Sequence, residues 1–187
     1  ETLLAEYDKA DTPPPVKRSA LEAMSAANHP RVEELILIAY HSGNFESQLS
    51  AVFAMGSSAD PRWLPTVLEE LENDDVDMQA EAARAAGTIG EEQAVPMLAR
   101  LALSEEPAVA LTAVYALGQI GGDTAYRVLT SLIEDPEFES LHQAAGDALE
   151  ELDWLGGNLI PGTIMDGLDD DDDYFEPNGD GDYLVYH

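Results

Sequence analysis

Ala51-Val52-Phe53-Ala54-Met55-Gly56, Ala82-Ala83-Arg84-Ala85-Ala86-Gly87 and Ala113-Val114-Tyr115-Ala116-Leu117-Gly118 are three copies of one pattern, each starting 31 residues after the last. Ala20-Leu21-Glu22-Ala23-Met24 stands the same step upstream. Alanine holds the first and fourth positions of every copy, and the fifth is apolar throughout, as is the second. After Leu117 the interval lengthens by one residue, so that Ala113, Leu117 and Ile120 recur as Ala145, Leu149 and Leu152. An interval in the range of roughly 20 to 50 residues marks a repeat array, in which each unit buries its apolar flank only against its neighbours.

Within one copy the apolar positions Val109, Ala113, Ala116, Leu117 and Ile120 step by three or four residues, which puts them on one face of a helix. This is the second helix of a pair. The first opens at Ala94-Val95-Pro96 and runs through Leu98 and Leu101, with Tyr126, Leu129 and Leu132 as counterparts one unit later. Pro65 and Pro96 fall near helix starts, where a missing N–H costs little. Turn signals lie between: Asp60-Pro61-Arg62, 31 residues after His29-Pro30-Arg31, then Asn73-Asp74-Asp75, Gly121-Gly122-Asp123 and Glu134-Asp135-Pro136. Gly87, Gly90, Gly118 and Gly121 read as helix terminators.

The pattern predicts ten helices, at 1–9, 15–27, 31–42, 46–57, 62–72, 76–88, 92–103, 107–119, 123–134 and 138–152. The fold class is therefore all-α, an α-solenoid of about five two-helix repeats over residues 1–152, with an acidic, mostly irregular C-terminal tail over 153–187. The alanine columns have a physical reason: a small side chain lets the next pair of helices approach closely enough to stack.

Ala116-Leu117-Gly118-Gln119-Ile120-Gly121, preceded by Val109 and Ala113, resembles the second-helix consensus of the HEAT-like repeats found in phycobilin lyase subunits, and Ala94-Val95-Pro96 resembles their first-helix opening. The resemblance covers residues 13–152 and is strongest over 76–121. It implies a HEAT-like solenoid and, for function, either a scaffold or a bilin (chromophore) lyase-like subunit. Family members carry an Arg after the first apolar residue of the second helix. The matching positions here are Lys17, Gln48, Gln79, Ala110 and His142, so the polar ladder between repeats is expected to be weakened or replaced.

Composition narrows the partners. The 187 residues hold 38 acidic and 8 basic side chains, a formal net charge of −30, which repels phosphate backbones and anionic membranes. A basic protein or peptide is the easier partner, although acidity of this kind also fits a salt-rich host. There is no cysteine, and therefore no disulfide or thiolate chemistry. No apolar run is long enough to span a membrane, and the N-terminal residues lack the layout of a signal peptide, so a cytoplasmic location is expected.

Second helices line the inner wall of a solenoid, and the stripe Glu22, Phe53, Arg84, Tyr115 and Asp147 lies two residues beyond the first alanine column, about 200° around the helix. It is expected to face solvent, where Phe53, Arg84 and Tyr115 combine large rigid rings with a guanidinium, the chemistry of an interface hot spot. The alternative is that the rings tilt between helices and merely pack. Neighbouring Ser50, Glu81, Thr112, Asp77 and Glu46 are polar or acidic, consistent with a groove that takes a basic segment.

Beyond Leu152 the period stops. Residues 153–187 carry ten acids and no Lys or Arg, so they are not expected to build a core of their own. Three readings stand: Trp154, Leu159 and Ile160 cap the last repeat; Tyr174, Phe175 and Tyr183 anchor a linear motif for a basic partner; or the tail masks the chain's own groove. Asn178-Gly179-Asp180-Gly181-Asp182 spaces oxygen donors like a calcium loop but lacks the closing Glu.

Catalytic constellations are not found. His29, His41, His142 and His187 show no metal-ligand spacing, no Gly-rich phosphate loop follows a strand, and Ser57 and Ser58 have no identifiable base. The expected function is a non-catalytic protein-binding scaffold with no metal and no cofactor.

Overall fold

The computed structural model describes residues 2–9, 11–27 and 29–155. Those residues form ten α-helices and no strand: α1 (Thr2–Tyr7), α2 (Pro14–Met24), α3 (Pro30–Tyr40), α4 (Phe45–Ser57), α5 (Leu64–Glu70), α6 (Val76–Ile89), α7 (Val95–Leu101), α8 (Pro107–Ile120), α9 (Gly122–Glu134) and α10 (His142–Leu155). Short 3-10 segments at Pro61–Trp63, Glu92–Ala94 and Pro136–Leu141 lead into α5, α7 and α10.

The turn residues act as helix caps. Asn44 Oδ1 accepts the Ser47 N–H at 2.9 Å, Asp60 Oδ1 that of Arg62 at 3.0 Å, and Asp75 Oδ1 those of Asp77 and Met78 at 3.0 and 3.1 Å. Each satisfies an N–H that the helix itself leaves without a partner. Prolines occupy the first turns of α2, α3, α5, α7 and α8. Gly90, with φ 79°, ends α6 in the left-handed region, and Gly121, with φ 69°, follows α8.

Consecutive helices pair as α1/α2, α3/α4, α5/α6, α7/α8 and α9/α10, and the second helices pack on one another in the order α2, α4, α6, α8, α10. One continuous core runs between them, with Leu21, Leu35, Ile36, Met55, Val67, Leu98, Leu117 and Leu129 all 1% exposed or less. The result is the α-solenoid that the interval predicts.

Gly87 and Gly118 are not terminators. Both lie inside helices, like Gly56, and mark where adjacent repeats touch backbone to backbone. A Cβ on Gly56 would sit 2.6 Å from the Ala85 Cα, one on Gly87 2.8 Å from the Ala116 Cα, and one on Gly118 2.8 Å from the Ala148 Cβ. Glycine of one repeat thus receives alanine of the next. The column Ala54, Ala85, Ala116 and Ala148 is buried for this reason, whereas Ala23, which no second helix faces among the described residues, is exposed.

At Gln79 and His142, two of the positions where the sequence predicts a weakened or replaced inter-repeat ladder, the side chain bonds within its own repeat. Gln79 Nε2 donates to the Leu71 carbonyl at 3.0 Å and His142 Nε2 to the Asp135 carbonyl at 2.9 Å, each closing its own hairpin. The first helices and their approaches also link repeats: Arg62 grips Glu33 through two bonds of 2.7 and 2.8 Å, Tyr40 donates to Glu70, and Arg100 reaches Glu72 at 3.2 Å. First helices meet through these long side chains, while the closest contacts of the second helices are made by Gly and Ala. In an α-solenoid of this kind the second helices line the concave side.

Candidate functional site

Five of the residues singled out on the inner wall, Ser50 among them, converge on one depression. Glu22 of α2, Glu46 and Phe53 of α4, and Glu81 of α6 line a hollow of about 330 Å³, together with Arg18, Leu49 and Ser50. Its polar groups are already organised. Ser50 Oγ donates to Glu22 Oε1 at 2.7 Å, Arg18 faces Glu46 at 3.5 Å, and Arg84 Nε donates to Glu81 Oε1 at 2.8 Å. Ser50 is buried and Glu81 keeps 19% of its side chain exposed, while Glu46 keeps 61%.

Phe53 and Arg84 form a single unit. The Arg84 guanidinium lies over the Phe53 ring with its carbon 4.5 Å from the centroid, and its Nη2 also donates to the Phe53 carbonyl at 3.3 Å. Phe53, Arg84 and Glu22 are consequently half-buried, not fully turned to solvent as the helical angle alone predicts. A cation over a ring face is attracted by the ring quadrupole, here across the junction between two repeats.

Tyr115 has a different fate in the same column. It is 48% exposed on α8, with Leu111, 38% exposed, one turn before it on the same face. Asp147 on α10 and Asp77 in the first turn of α6 are exposed too. None of these three predicted residues borders the hollow; they continue the wall toward its C-terminal end. Tyr174, Phe175 and Tyr183 of the proposed tail motif, and the Asn178–Asp182 loop, lie outside the described residues.

Arg18, Leu49 and Leu111 escaped the sequence reading. They occupy the column one helical turn before Glu22, Phe53 and Tyr115, and that regular offset was the available signal. The apolar part of the wall is correspondingly wider: Leu49 with Phe53 on α4, Leu111 with Tyr115 on α8.

Among the described residues, no group of three or more His, Asp or Glu side chains is placed to hold a metal ion, and no helix is long and apolar enough to cross a membrane.

Residues 64–150 match the family model described as HEAT repeats, which spans α5 to α10. No curated protein matches the chain. The match is to HEAT repeats at large and carries nothing specific to the phycobilin-lyase type.

Proposed function

We propose that this HEAT-repeat chain is a non-catalytic scaffold, which holds a basic segment of a partner protein on the wall built by α2, α4, α6 and α8. HEAT repeats commonly serve as protein-interaction scaffolds. The observation that carries the reading is the hollow itself: three glutamates, Glu22, Glu46 and Glu81, ring an aromatic floor at Phe53. A Lys or Arg side chain entering there meets carboxylates at its tip and apolar surface along its stem. Tyr115 and Leu111 supply an open apolar ledge farther along, with Asp77 and Asp147 at its margins. The surplus of acids over the whole chain steers a basic segment inward and repels nucleic acid and anionic membranes.

In this reading residues 1–152 are the binding body and 153–187 an acidic extension, in a cytoplasmic setting. Tyr174, Phe175 and Tyr183 serve a basic partner in trans, because an acidic tail laid on an acidic wall would be repelled. Nothing observed favours a chromophore-lyase role, and incubation with a bilin and an acceptor subunit is expected to give no covalent product.

The test is capture from host extract by the immobilised chain, repeated with a Phe53→Ala/Tyr115→Ala double variant and with Glu22→Lys/Glu46→Lys. Captured proteins should carry basic segments, be released as salt rises, and be largely lost from both variants. Undiminished capture by both would remove the inner wall from consideration.

A further inference from the structure

We infer that a cavity between the first two helical pairs is a binding site for a phosphate monoester. The inference does not rest on the inner-wall reading. The cavity, of about 390 Å³, lies among α1, α2, α3, α4 and the turn before α4, and it shares only Arg18 and Ser50 with the acidic hollow. In a chain of 38 acids and 8 bases, two of the bases, Lys17 and Arg18, border it, and no acidic side chain among the described residues does. The charge of its lining is thus opposite in sign to that of the chain.

Lys17 stands in the column of Gln79 and His142, whose side chains are spent on a carbonyl of their own hairpins. Its ammonium instead lies 5.4 Å from the centre of the Tyr7 ring, and no carboxylate pairs with it among the described residues. Arg18 meets Glu46 at 3.5 Å, but that glutamate keeps 61% of its side chain exposed, so water screens the pair. Ser42 Oγ accepts the Asn44 N–H at 3.2 Å and keeps its own proton to give. Ser47 and Ser50 differ, since their hydroxyls donate to Asn44 Oδ1 and Glu22 Oε1. Two cations and one hydroxyl are therefore the donors left for a ligand.

Two cations on one lining call for two negative charges on one group. A phosphate monoester carries about −1.5 to −2 near neutral pH on three acceptor oxygens, whereas a carboxylate carries a single charge on two. Arginine supplies a fork for two of the phosphate oxygens and lysine a point charge for the third. Buried Leu21 and Ala39, with Pro14 and Ile38, make the rest of the lining apolar, which takes the carbon side of the ester and which free phosphate leaves empty. A nucleic acid does not suit the place, because its neighbouring phosphates would meet acids outside the cavity, Glu46 among them.

Calorimetric titration of the full chain with phenyl phosphate tests this, with inorganic phosphate, benzoate and a serine-phosphorylated peptide as the other ligands. One-to-one binding of phenyl phosphate is expected, tighter than that of inorganic phosphate or benzoate. Lys17→Ala and Arg18→Ala should each weaken it about tenfold or more, as loss of a charge-assisted bond does, while Lys17→Arg keeps most of it. Arg127→Gln, which removes an exposed arginine on α9, should bind like the parent. A cooperative thermal transition of Lys17→Ala without ligand shows that binding was lost and not the fold. A peptide that binds only when phosphorylated makes the source a modified side chain; phenyl phosphate binding without peptide binding makes it a free small molecule. Absence of phenyl phosphate binding overturns the inference. So does benzoate binding as tightly, a Lys17→Ala variant that binds like the parent, or equal weakening by Arg127→Gln.

Discussion

Gly87 and Ala116 touch across the junction of two repeats so closely that a Cβ on Gly87 would fall 2.8 Å from the Ala116 Cα and 2.9 Å from its Cβ. Helix propensity favours alanine over glycine by about 1 kcal/mol, but the opposing atoms include backbone that cannot swing aside. Gly87→Ala is therefore expected to destabilise by a net of about 1–3 kcal/mol. A Cβ on Gly146, inside α10, would meet nothing within 4 Å among the described residues, and Gly146→Ala should stabilise by about 0.5–1 kcal/mol. Urea unfolding of the two variants checks the pair; equal signs would contradict the contact.

Phe53 and Tyr115 occupy one column and should separate stability from binding. Phe53→Ala strips the ring from beneath the Arg84 guanidinium and is expected to cost about 1–2 kcal/mol in unfolding free energy. Tyr115→Ala removes an exposed ring and should stay within about 0.5 kcal/mol of the parent, yet weaken partner capture. A strong fall in melting temperature for Tyr115→Ala would place that ring in the core.

The Tyr40 hydroxyl donates to the Glu70 carboxylate, which also accepts from Asn73 at 2.7 Å. Burial first, and this bond second, hold the Tyr40 pKa well above the tyrosine range. A folded-state value raised in this way stabilises fully below the unfolded pKa of about 10 and is lost as pH climbs above it. The parent should therefore begin to lose its advantage over Tyr40→Phe as pH rises above about 10, progressively with further rise, measured by chemical unfolding at stepped pH. A constant difference across that window would count against the bond.

Self-repulsion from a net charge of −30 should make the fold salt-dependent. Raising NaCl from about 0.1 M to about 1 M shortens the screening length from about 10 Å to about 3 Å. An increase in Tm is expected, with roughly 2–4 °C for each kcal/mol of repulsion relieved in a chain of this size. A Tm that falls with added salt would show that the ion pairs Arg62–Glu33 and Arg31–Asp8 outweigh the repulsion.

Much of the fold was legible because a recurring interval reports a recurring contact. Ala51, Ala82 and Ala113 had to face a neighbouring helix, and the turn residues Asp60 and Asp75 announced where the helices begin. The site was legible only by face. Helical angle puts Phe53 and Tyr115 on the same wall, but the structure lays the Arg84 guanidinium over the first ring and leaves the second exposed. One ring is covered and the other is bare, and the spacing of residues carries no trace of that difference.

By itself the sequence determined the number of helices, their order, and which flank of each is apolar, since these follow from local periodicity and turn chemistry. Only the tertiary structure decided that Gly56, Gly87 and Gly118 are contact points and not helix ends, that Glu22, Glu46, Phe53 and Glu81 share one hollow, and that Arg84 lies over Phe53. The physical reason is the same in each case: how near two helices lie depends on both surfaces at once, and those surfaces are some thirty residues apart in the chain.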